Sequence, residues 1–294
     1  MRILVIGASG MLGHKLYQRL RVNFDVFGSI RGAFESIDGF GIFDDGSIIE
    51  NIDATDADSL RRAVEMARPD CVVNAAGVIK QVPETSDPVQ NLLINAILPR
   101  HLARLSTDYG FRLITIGTDC VFDGKRGNYS EEDPSDARDI YGMSKLLGEV
   151  TAGNSITLRT SIIGRELGSR NSLVEWFLAN RGGRVKGYVN AIYSGFPTVV
   201  LAEIISDLIA NHPALSGLYH VSSEPISKFD LLGLINRHFN AGVQIEPFTD
   251  YVIDRSLDSS KFKRDTGFEP AGWNEMIAGM ADDATPYDAR AKSL

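Results

Sequence analysis

The sequence predicts an α/β protein with a Rossmann-type, doubly wound parallel sheet and a smaller C-terminal lobe. A short apolar run at the start of the chain passes through a glycine-rich turn into a helical pattern. Strand-like and helix-like segments then alternate, and small or polar residues follow several of the strand-like runs. Such alternation favours a parallel sheet covered by helices on both faces, with ligands bound at the carboxyl ends of its strands.

The first strand and its turn predict a site for a dinucleotide. Residues 3–6 form a continuous apolar run, as expected of a strand buried on both faces. Glycines spaced G-x-x-G-x-x-G follow at once, where they permit a tight turn and bring a pyrophosphate close to a helix N-terminus. The residues expected to bind the cofactor here are Gly7, Ser9, Gly10, Met11, Leu12 and Gly13.

The end of the second strand predicts which dinucleotide binds. The strand-like run 25–28 continues to Ser29 and Arg31, and it lacks the acidic residue that would bind the ribose hydroxyls of NAD. The Ser29 hydroxyl and the Arg31 guanidinium can bind a 2′-phosphate, so we expect NADP(H) in preference to NAD(H). A solvated Arg31 is the alternative. Asp53 and Ala54, after a short apolar segment, are expected near the adenine.

The alternation continues with strands and helices that bring further groups to the same edge of the sheet. Strands are expected at 71–74 and 112–116, and helices at 57–67, 88–105 and 141–150. Thr118 and Asp119 follow one of these strands, and the other runs into a stretch of small residues. Ligands bind at such strand ends. The small residues expected to contact the cofactor are Ala75, Ala76 and Gly77.

Tyr141 and Lys145 are four residues apart in the last of these helices, so their side chains share one face. A lysine cation beside a phenol favours the phenolate and lowers the pKa of the phenol. This pair suits a general acid that protonates a carbonyl oxygen. The spacing alone is also common in surface pairs, and the glycine turn and the sheet-edge residues favour the catalytic interpretation.

The second half of the chain continues without a linker. Helices are expected at 172–179 and 199–210, a strand at 217–221, and a capping box that begins at Ser227. The segment 282–286 is expected to be a loose tail. We assign residues 1–160 to the cofactor domain, with 188–222 returning to it, and residues 161–187 and 223–294 to the C-terminal lobe.

Composition excludes several classes of protein. The net charge is −8 and there is no basic stripe, so nucleic acid is not an expected partner. The two cysteines, Cys71 and Cys120, lie in apolar runs, which favours a reducing compartment. No signal-peptide pattern, membrane span or metal-ligand cluster is recognisable, so we expect a cytoplasmic protein that binds neither a membrane nor a structural metal.

Taken together, these residues resemble the extended short-chain dehydrogenase/reductase superfamily and, within it, the dTDP-4-dehydrorhamnose reductase family. The more specific segments are T-D-x-V-F-D-G at 118–124 and S-L-D-x-x-K-F at 256–262, and the resemblance runs nearly end to end. It implies that NADPH delivers hydride to C4 of a nucleotide-linked 4-keto-6-deoxy sugar, a step in deoxysugar and polysaccharide biosynthesis. The implied partners are a nucleotide-diphosphate sugar and, in a homodimer, a second copy of the chain.

The resemblance also implies roles for single residues. Tyr141 would donate the proton, Thr118 would hydrogen-bond the carbonyl oxygen, and Lys145 would hold the nicotinamide ribose. Asn95 matches a family position that supports the lysine and the cofactor region, and it can equally be a helix residue packed against the sheet. The candidates for substrate contact are Lys80, Asp119, Cys120, Val121 and Phe122.

Some of these candidates have a simpler interpretation. Asp119 is expected first to cap the turn after its strand, and Lys80 to be a solvated loop lysine. The loops at 165–171 and 181–186 are rich in arginine and glycine and could hold the diphosphate of a sugar nucleotide.

Cys120 is the main departure from the reductase pattern, which commonly has a tyrosine there. Dehydratases carry T-D-E at these positions, so dehydration is not expected. GDP-fucose synthases resemble this chain in having a cysteine, which serves them as an acid or base. An epimerase or epimerase/reductase that uses Cys120 is therefore an alternative, as is a small buried cysteine without a chemical role. A further alternative is a non-catalytic NADP-binding subunit, like the one that partners methionine adenosyltransferase.

Overall fold

The structure is a computed structural model that describes residues 1–78 and 87–287. Lys80 therefore lies outside the described residues. The strands, in chain order, are β1 (Arg2–Ile6), β2 (Asp25–Ser29), β3 (Ile48–Ile49), β4 (Cys71–Asn74), β5 (Arg112–Ile116), β6 (Ser155–Arg159), β7 (Ile162–Ile163), β8 (Arg184–Tyr188), β9 (Ala191–Tyr193), β10 (Phe196–Pro197), β11 (Gly217–His220), β12 (Ile226–Ser227), β13 (Gln244–Phe248) and β14 (Ile253–Asp254). The helices are α1 (Gly13–Leu20), α2 (Ala57–Ala67), α3 (Pro88–Asn91), α4 (Leu98–Tyr109), α5 (Ile140–Leu147), α6 (Leu173–Ala179), α7 (Thr198–Asn211), α8 (Lys228–His238), α9 (Ser260–Thr266) and α10 (Trp273–Ala281).

A seven-stranded parallel sheet, in the order β11-β6-β5-β4-β1-β2-β3, forms the centre of the protein. The predicted Rossmann-type α/β fold is thus confirmed. The strand order reverses direction beside β1, and such a switch point opens a crevice at the carboxyl ends of the strands. Pairing of Ile6 with Asn74, and of Asn74 with Thr115, aligns the ends of β1, β4 and β5 at this crevice.

The helix expected at 88–105 is correct in position but is not a regular α-helix. A π-helical turn, Leu92–Ile97, lies between α3 and α4. Pro99 has no N–H to donate to the carbonyl of Asn95, four residues earlier, and its ring would crowd that oxygen in an α-helix. The wider π turn accommodates this proline and places Asn95 inside the irregular stretch.

The second half of the chain adds three small sheets, with strand orders β10-β7, β12-β9-β14 and β13-β8. It also returns β11 to the main sheet, where this strand pairs with β6. Ser227, where the sequence predicts a capping box, is the N-cap of α8, because its hydroxyl accepts a hydrogen bond from the N–H of Asp230. The Asp230 carboxylate accepts from this hydroxyl. Within the described residues, no helix is long and apolar enough to cross a bilayer.

The loose tail expected at 282–286 is wrong. Residues 283–287, which we call the C-terminal strap, pack on α1. The Nζ of Lys15 lies 2.5 Å from the carboxylate of Asp283 and donates a hydrogen bond of 2.5 Å to Thr285. Polar composition suggested a solvated tail, and the buried partner on α1 is some 270 residues away in the sequence.

Candidate active site

The glycine turn brings the ends of β1 and β4 into contact. Gly7 has a φ of 80°, and a Cβ there would lie 3.1 Å from Ala76. A Cβ on Gly13 would lie 2.0 Å from the carbonyl oxygen of Gly7. Both positions therefore require glycine, the first because of its conformation and the second because of the close backbone approach.

The rest of the turn leads into the first helix. Ser9 and Met11 are half-buried, Gly10 is exposed, and Leu12 is buried at the N-cap position of α1. The first N–H groups of a helix have no partner within it and attract anions. This glycine-lined helix N-terminus, at the switch point of the sheet, fits the diphosphate of a dinucleotide.

The residues expected to distinguish NADP from NAD lie beside the turn. Ser29 is buried, and its hydroxyl accepts a hydrogen bond of 3.4 Å from the N–H of Gly7. Ser29 therefore stabilises the glycine turn. Arg31 is exposed and close enough to Asp53 to help lower the pKa of that carboxyl group. The largest cause of this lowering is the hydrogen bond that Asp53 accepts from the N–H of Thr55.

The segment after β4 connects the glycine turn with Lys145. Ala75 and Ala76 are half-buried, and Gly77 is exposed. A Cβ on Gly77 would lie 2.9 Å from the Nζ of Lys145. This amine donates a hydrogen bond of 3.4 Å to the carbonyl of Ile116, and burial lowers its pKa to about 8. Lys145 is thus placed between the ends of β4 and β5.

Tyr141 and Thr118 come from different elements and lie side by side. Burial raises the pKa of the Tyr141 phenol well above its ordinary value; Cys120 adds to this effect, and the Thr118 hydroxyl opposes it. Burial, rather than the Lys145 cation that we expected, therefore dominates the pKa of the phenol. A phenol that keeps its proton, held against a hydroxyl at the end of β5, can act as a hydrogen-bond donor and acid.

Two residues that the sequence analysis did not single out hold α5 against this turn. Asp139 caps the helix, because its carboxylate accepts a hydrogen bond of 2.8 Å from the N–H of Gly142. A Cβ on Gly142 would lie 2.3 Å from the carbonyl oxygen of Cys120. The cap was recognisable in the sequence, since an aspartate stands just before the tyrosine motif.

Asn95 is a buried residue whose side chain bonds two other segments. It is 2% exposed, so it is packed inside the protein. Its Oδ1 accepts a hydrogen bond of 3.1 Å from the N–H of Val78, and its Nδ2 donates one of 3.3 Å to Ser144. Asn95 thus ties the segment that follows Gly77 to the helix that carries Lys145.

The residues that follow β5 include two polar residues at a short turn and two apolar residues buried in a core. Thr118, and not Asp119, caps the short 3-10 turn Asp119–Val121, because its hydroxyl accepts from the N–H of Cys120 at 3.1 Å. The Asp119 carboxylate instead accepts from that hydroxyl at 3.3 Å. Val121 and Phe122 are fully buried in a small core with Tyr129, against whose ring Phe122 stacks at 4.2 Å. The turn directs these two side chains into that core, and their assignment as substrate contacts stays a prediction.

Cys120 is half-buried and lies next to an arginine that the sequence analysis missed. The Nη1 of Arg255 is 3.8 Å from the sulfur of Cys120, and its Nε donates to the carbonyl of Phe122 at 2.7 Å. No local pattern indicated this contact, because the two residues are 135 positions apart.

In each of the two segments proposed to hold a diphosphate, one arginine is already paired with a glutamate. Arg165 forms an ion pair of 2.5 Å with Glu175, and Arg184 forms one of 2.8 Å with Glu246. The stretch 181–186 also includes the start of β8, so it is not wholly a loop.

A glycine turn and a paired tyrosine and lysine at the carboxyl edge of a Rossmann sheet define an NAD(P)-dependent oxidoreductase of the short-chain dehydrogenase/reductase class. The family model described as the RmlD substrate binding domain matches residues 1–285. The chain belongs to this family, which confirms the resemblance found in the sequence.

Individual relatives agree with this assignment. The chain is 31% identical to the spore coat polysaccharide biosynthesis protein SpsK of Bacillus subtilis, over 76% of this chain and 74% of that protein. It is 30% identical to a dTDP-4-dehydrorhamnose reductase of Burkholderia thailandensis, over 76% and 73% of the two chains. Among solved structures, the dTDP-4-dehydrorhamnose reductase of Bacillus anthracis in complex with NADP superposes with a TM-score of 0.77 at 25% identity, covering 95% of this chain and 98% of that one.

Proposed function

We propose that this protein reduces the C4 ketone of a nucleotide-linked 4-keto-6-deoxyhexose with NADPH, as its dTDP-4-dehydrorhamnose reductase relatives suggest. The observation that carries the proposal is the placement of the Tyr141 phenol beside the Thr118 hydroxyl at the end of β5. The same edge of the sheet holds the glycine turn and Lys145. A ketone that entered there would meet two hydroxyl groups beside the site for the nicotinamide.

Each residue has one task in this reaction. Thr118 hydrogen-bonds the substrate carbonyl oxygen and holds it beside Tyr141. Tyr141 gives its proton to that oxygen as negative charge develops on it. The raised pKa of the phenol keeps the proton in place until this moment. Lys145 holds the ribose of the cofactor and stabilises the tyrosinate that remains. When bound, the reduced nicotinamide supplies hydride to the carbonyl carbon.

NADP(H) is the cofactor that we propose in preference to NAD(H). Arg31 is exposed at the end of β2, where a guanidinium can pair with a 2′-phosphate. Ser29 supports the turn rather than the phosphate, because its hydroxyl bonds the N–H of Gly7. The preference therefore depends on Arg31.

The sugar nucleotide is proposed to bind between the sheet edge and the C-terminal lobe. We keep residues 161–187 and 223–294 as this lobe, and residues 1–160 and 188–222 as the cofactor domain. The placement of Arg255 supports this proposal, because the lobe contributes it next to Cys120 at the end of β5.

The test is a panel of dTDP-, UDP- and GDP-linked 4-keto-6-deoxyhexoses, with NADPH oxidation followed at 340 nm. At least one sugar should be reduced, and Tyr141→Phe should lower kcat by about a thousandfold, within the range known for a lost general acid. The dissociation constant of NADPH should stay within about twofold. Undiminished turnover by Tyr141→Phe would refute the proposed role, and no turnover with any sugar would refute the proposed substrate class.

A further inference from the structure

Two consecutive residues of α1 are buried by the C-terminal strap. His14 is 0% exposed and Lys15 is 1% exposed. The Nε2 of His14 lies 3.1 Å from the hydroxyl of Tyr287, and this hydroxyl lies 2.7 Å from the carboxylate of Asp283. Asp283 is also the ion-pair partner of Lys15. The C-terminal strap therefore closes over the first turn of the helix that follows the glycine turn.

His14 also bonds the glycine turn itself. Its Nδ1 lies 2.8 Å from the carbonyl oxygen of Gly10, and its backbone N–H donates to the same oxygen at 3.1 Å. A carbonyl only accepts, so Nδ1 carries the hydrogen. Because the peptide group is planar and trans, a Gly10 carbonyl held toward His14 turns the N–H of Met11 the opposite way. That N–H belongs to the glycine turn, one residue before the N-cap of α1, where the helix N-terminus attracts a phosphate.

Tyr287 is in turn held by contacts on several sides. Its ring meets the His14 ring edge-on, at 5.6 Å between centroids. The guanidinium of Arg165 lies 4.6 Å from the centre of the Tyr287 ring, and Arg165 is paired with Glu175 of α6. A cation over an aromatic face is attractive. The strap thus connects the glycine turn with the loop that precedes α6.

We propose that His14 and Tyr287 are positioning residues that orient the glycine turn for the cofactor diphosphate; this rests on the proposed function for the identity of that cofactor. Tyr287 fixes the ring of His14, and His14 fixes the Gly10 carbonyl. The single hydroxyl hydrogen of Tyr287 is shared between two acceptors, His14 and Asp283. Asp283 keeps Lys15 as a partner whether or not the Tyr287 hydroxyl is present. Loss of this hydroxyl therefore disturbs His14 more than Asp283.

The experiment is a fluorescence titration of NADPH without any sugar. Tyr287→Phe keeps the ring over Arg165 and removes only the hydroxyl. We expect the dissociation constant of Tyr287→Phe for NADPH to rise about fivefold. This change corresponds to the net free energy of about one hydrogen bond. His14→Ala should weaken binding at least as much. With saturating NADPH, kcat of Tyr287→Phe should stay within about twofold, so that KM changes and kcat does not.

The matched control is Arg19→Ala, on the same helix, whose side chain is 47% exposed and pairs with Glu203. It should bind NADPH normally. Thermal unfolding without cofactor will set a titration temperature at which all variants are folded. Unchanged NADPH affinity in both Tyr287→Phe and His14→Ala, or an equal loss in Arg19→Ala, would overturn the proposal. Because no sugar is present, failure of the proposed reductase activity would leave this result unaffected.

Discussion

The guanidinium of Arg255 lies 3.8 Å from the sulfur of Cys120, at the turn where Tyr141 and Thr118 meet. A neighbouring cation favours the thiolate form of a cysteine. This contact favours the epimerase/reductase alternative, since a thiolate can remove a proton next to a ketone. The reductase relatives favour the simpler reaction.

Reduction in D₂O separates these two reactions. We expect the product to carry no solvent deuterium at C3 or C5 beyond that of an enzyme-free control, as mass spectrometry and NMR would detect. We expect Cys120→Ser to retain turnover within about threefold. Deuterium that the parent enzyme incorporates and Cys120→Ser does not would establish Cys120 as a base and replace the reductase assignment with an epimerase/reductase.

Replacement of Arg31 by alanine should change the choice of cofactor. Loss of a charged hydrogen bond to the 2′-phosphate should raise KM for NADPH about tenfold, and KM for NADH should not change. Arg61→Ala is the control for loss of one surface charge, because Arg61 pairs only locally with Asp58 on α2. An unchanged ratio of the two KM values in Arg31→Ala would show that the 2′-phosphate is recognised elsewhere or not at all.

Lys145 should make stability depend on pH in the alkaline range. Its folded-state pKa of about 8 is below the ordinary value of 10.5, so the unfolded chain binds the proton more tightly between these values. The contribution of Lys145 to stability, measured without cofactor as the difference from Lys145→Met, should therefore rise from pH 8 to pH 10. At pH 7, Lys145→Met should be more stable by about 1–3 kcal/mol, and this advantage should shrink as the pH rises. Urea unfolding at several pH values measures the difference in free energy of unfolding between Lys145→Met and the parent. A difference that does not change with pH would contradict the lowered pKa of Lys145.

Gly142 should be irreplaceable for a steric reason. The Cβ of Gly142→Ala would lie 2.3 Å from the carbonyl oxygen of Cys120, so α5 would have to move away from Thr118. We expect kcat to fall at least about tenfold and stability to fall by about 1–3 kcal/mol. Gly279→Ala, in α10 with open space around its added methyl, should instead gain about 0.5–1 kcal/mol. Equal effects of the two substitutions on kcat would exclude the steric explanation.

Local patterns were sufficient for several main helices and strands and for the sheet edge. The helix predicted at 57–67 matches α2, and the strand predicted at 112–116 matches β5, because periodicity and apolar runs are properties of short segments. The glycine turn was also predictable, since its spacing follows from the backbone geometry that a diphosphate requires.

Contacts between distant segments were not predictable in this way. Arg255 reaches Cys120, and the strap reaches His14, across more than 130 residues in each case. The burial of Val121 and Phe122 was not predictable for a related reason. The sequence places them next to Thr118, and only the 3-10 turn determines that their side chains point into a core.

The π-helical turn Leu92–Ile97 is equivalent to one extra residue inserted in a helix. Deleting one residue there would restore α-helical bonding, but it would rotate one half of the helix against the other by about 100°. Asn95 could then face Ser144, or Leu98 and Leu102 could face the core, but not both. The length of this stretch is therefore more constrained than its composition, and in related chains an insertion or deletion here should be rarer than a change of apolar side chain.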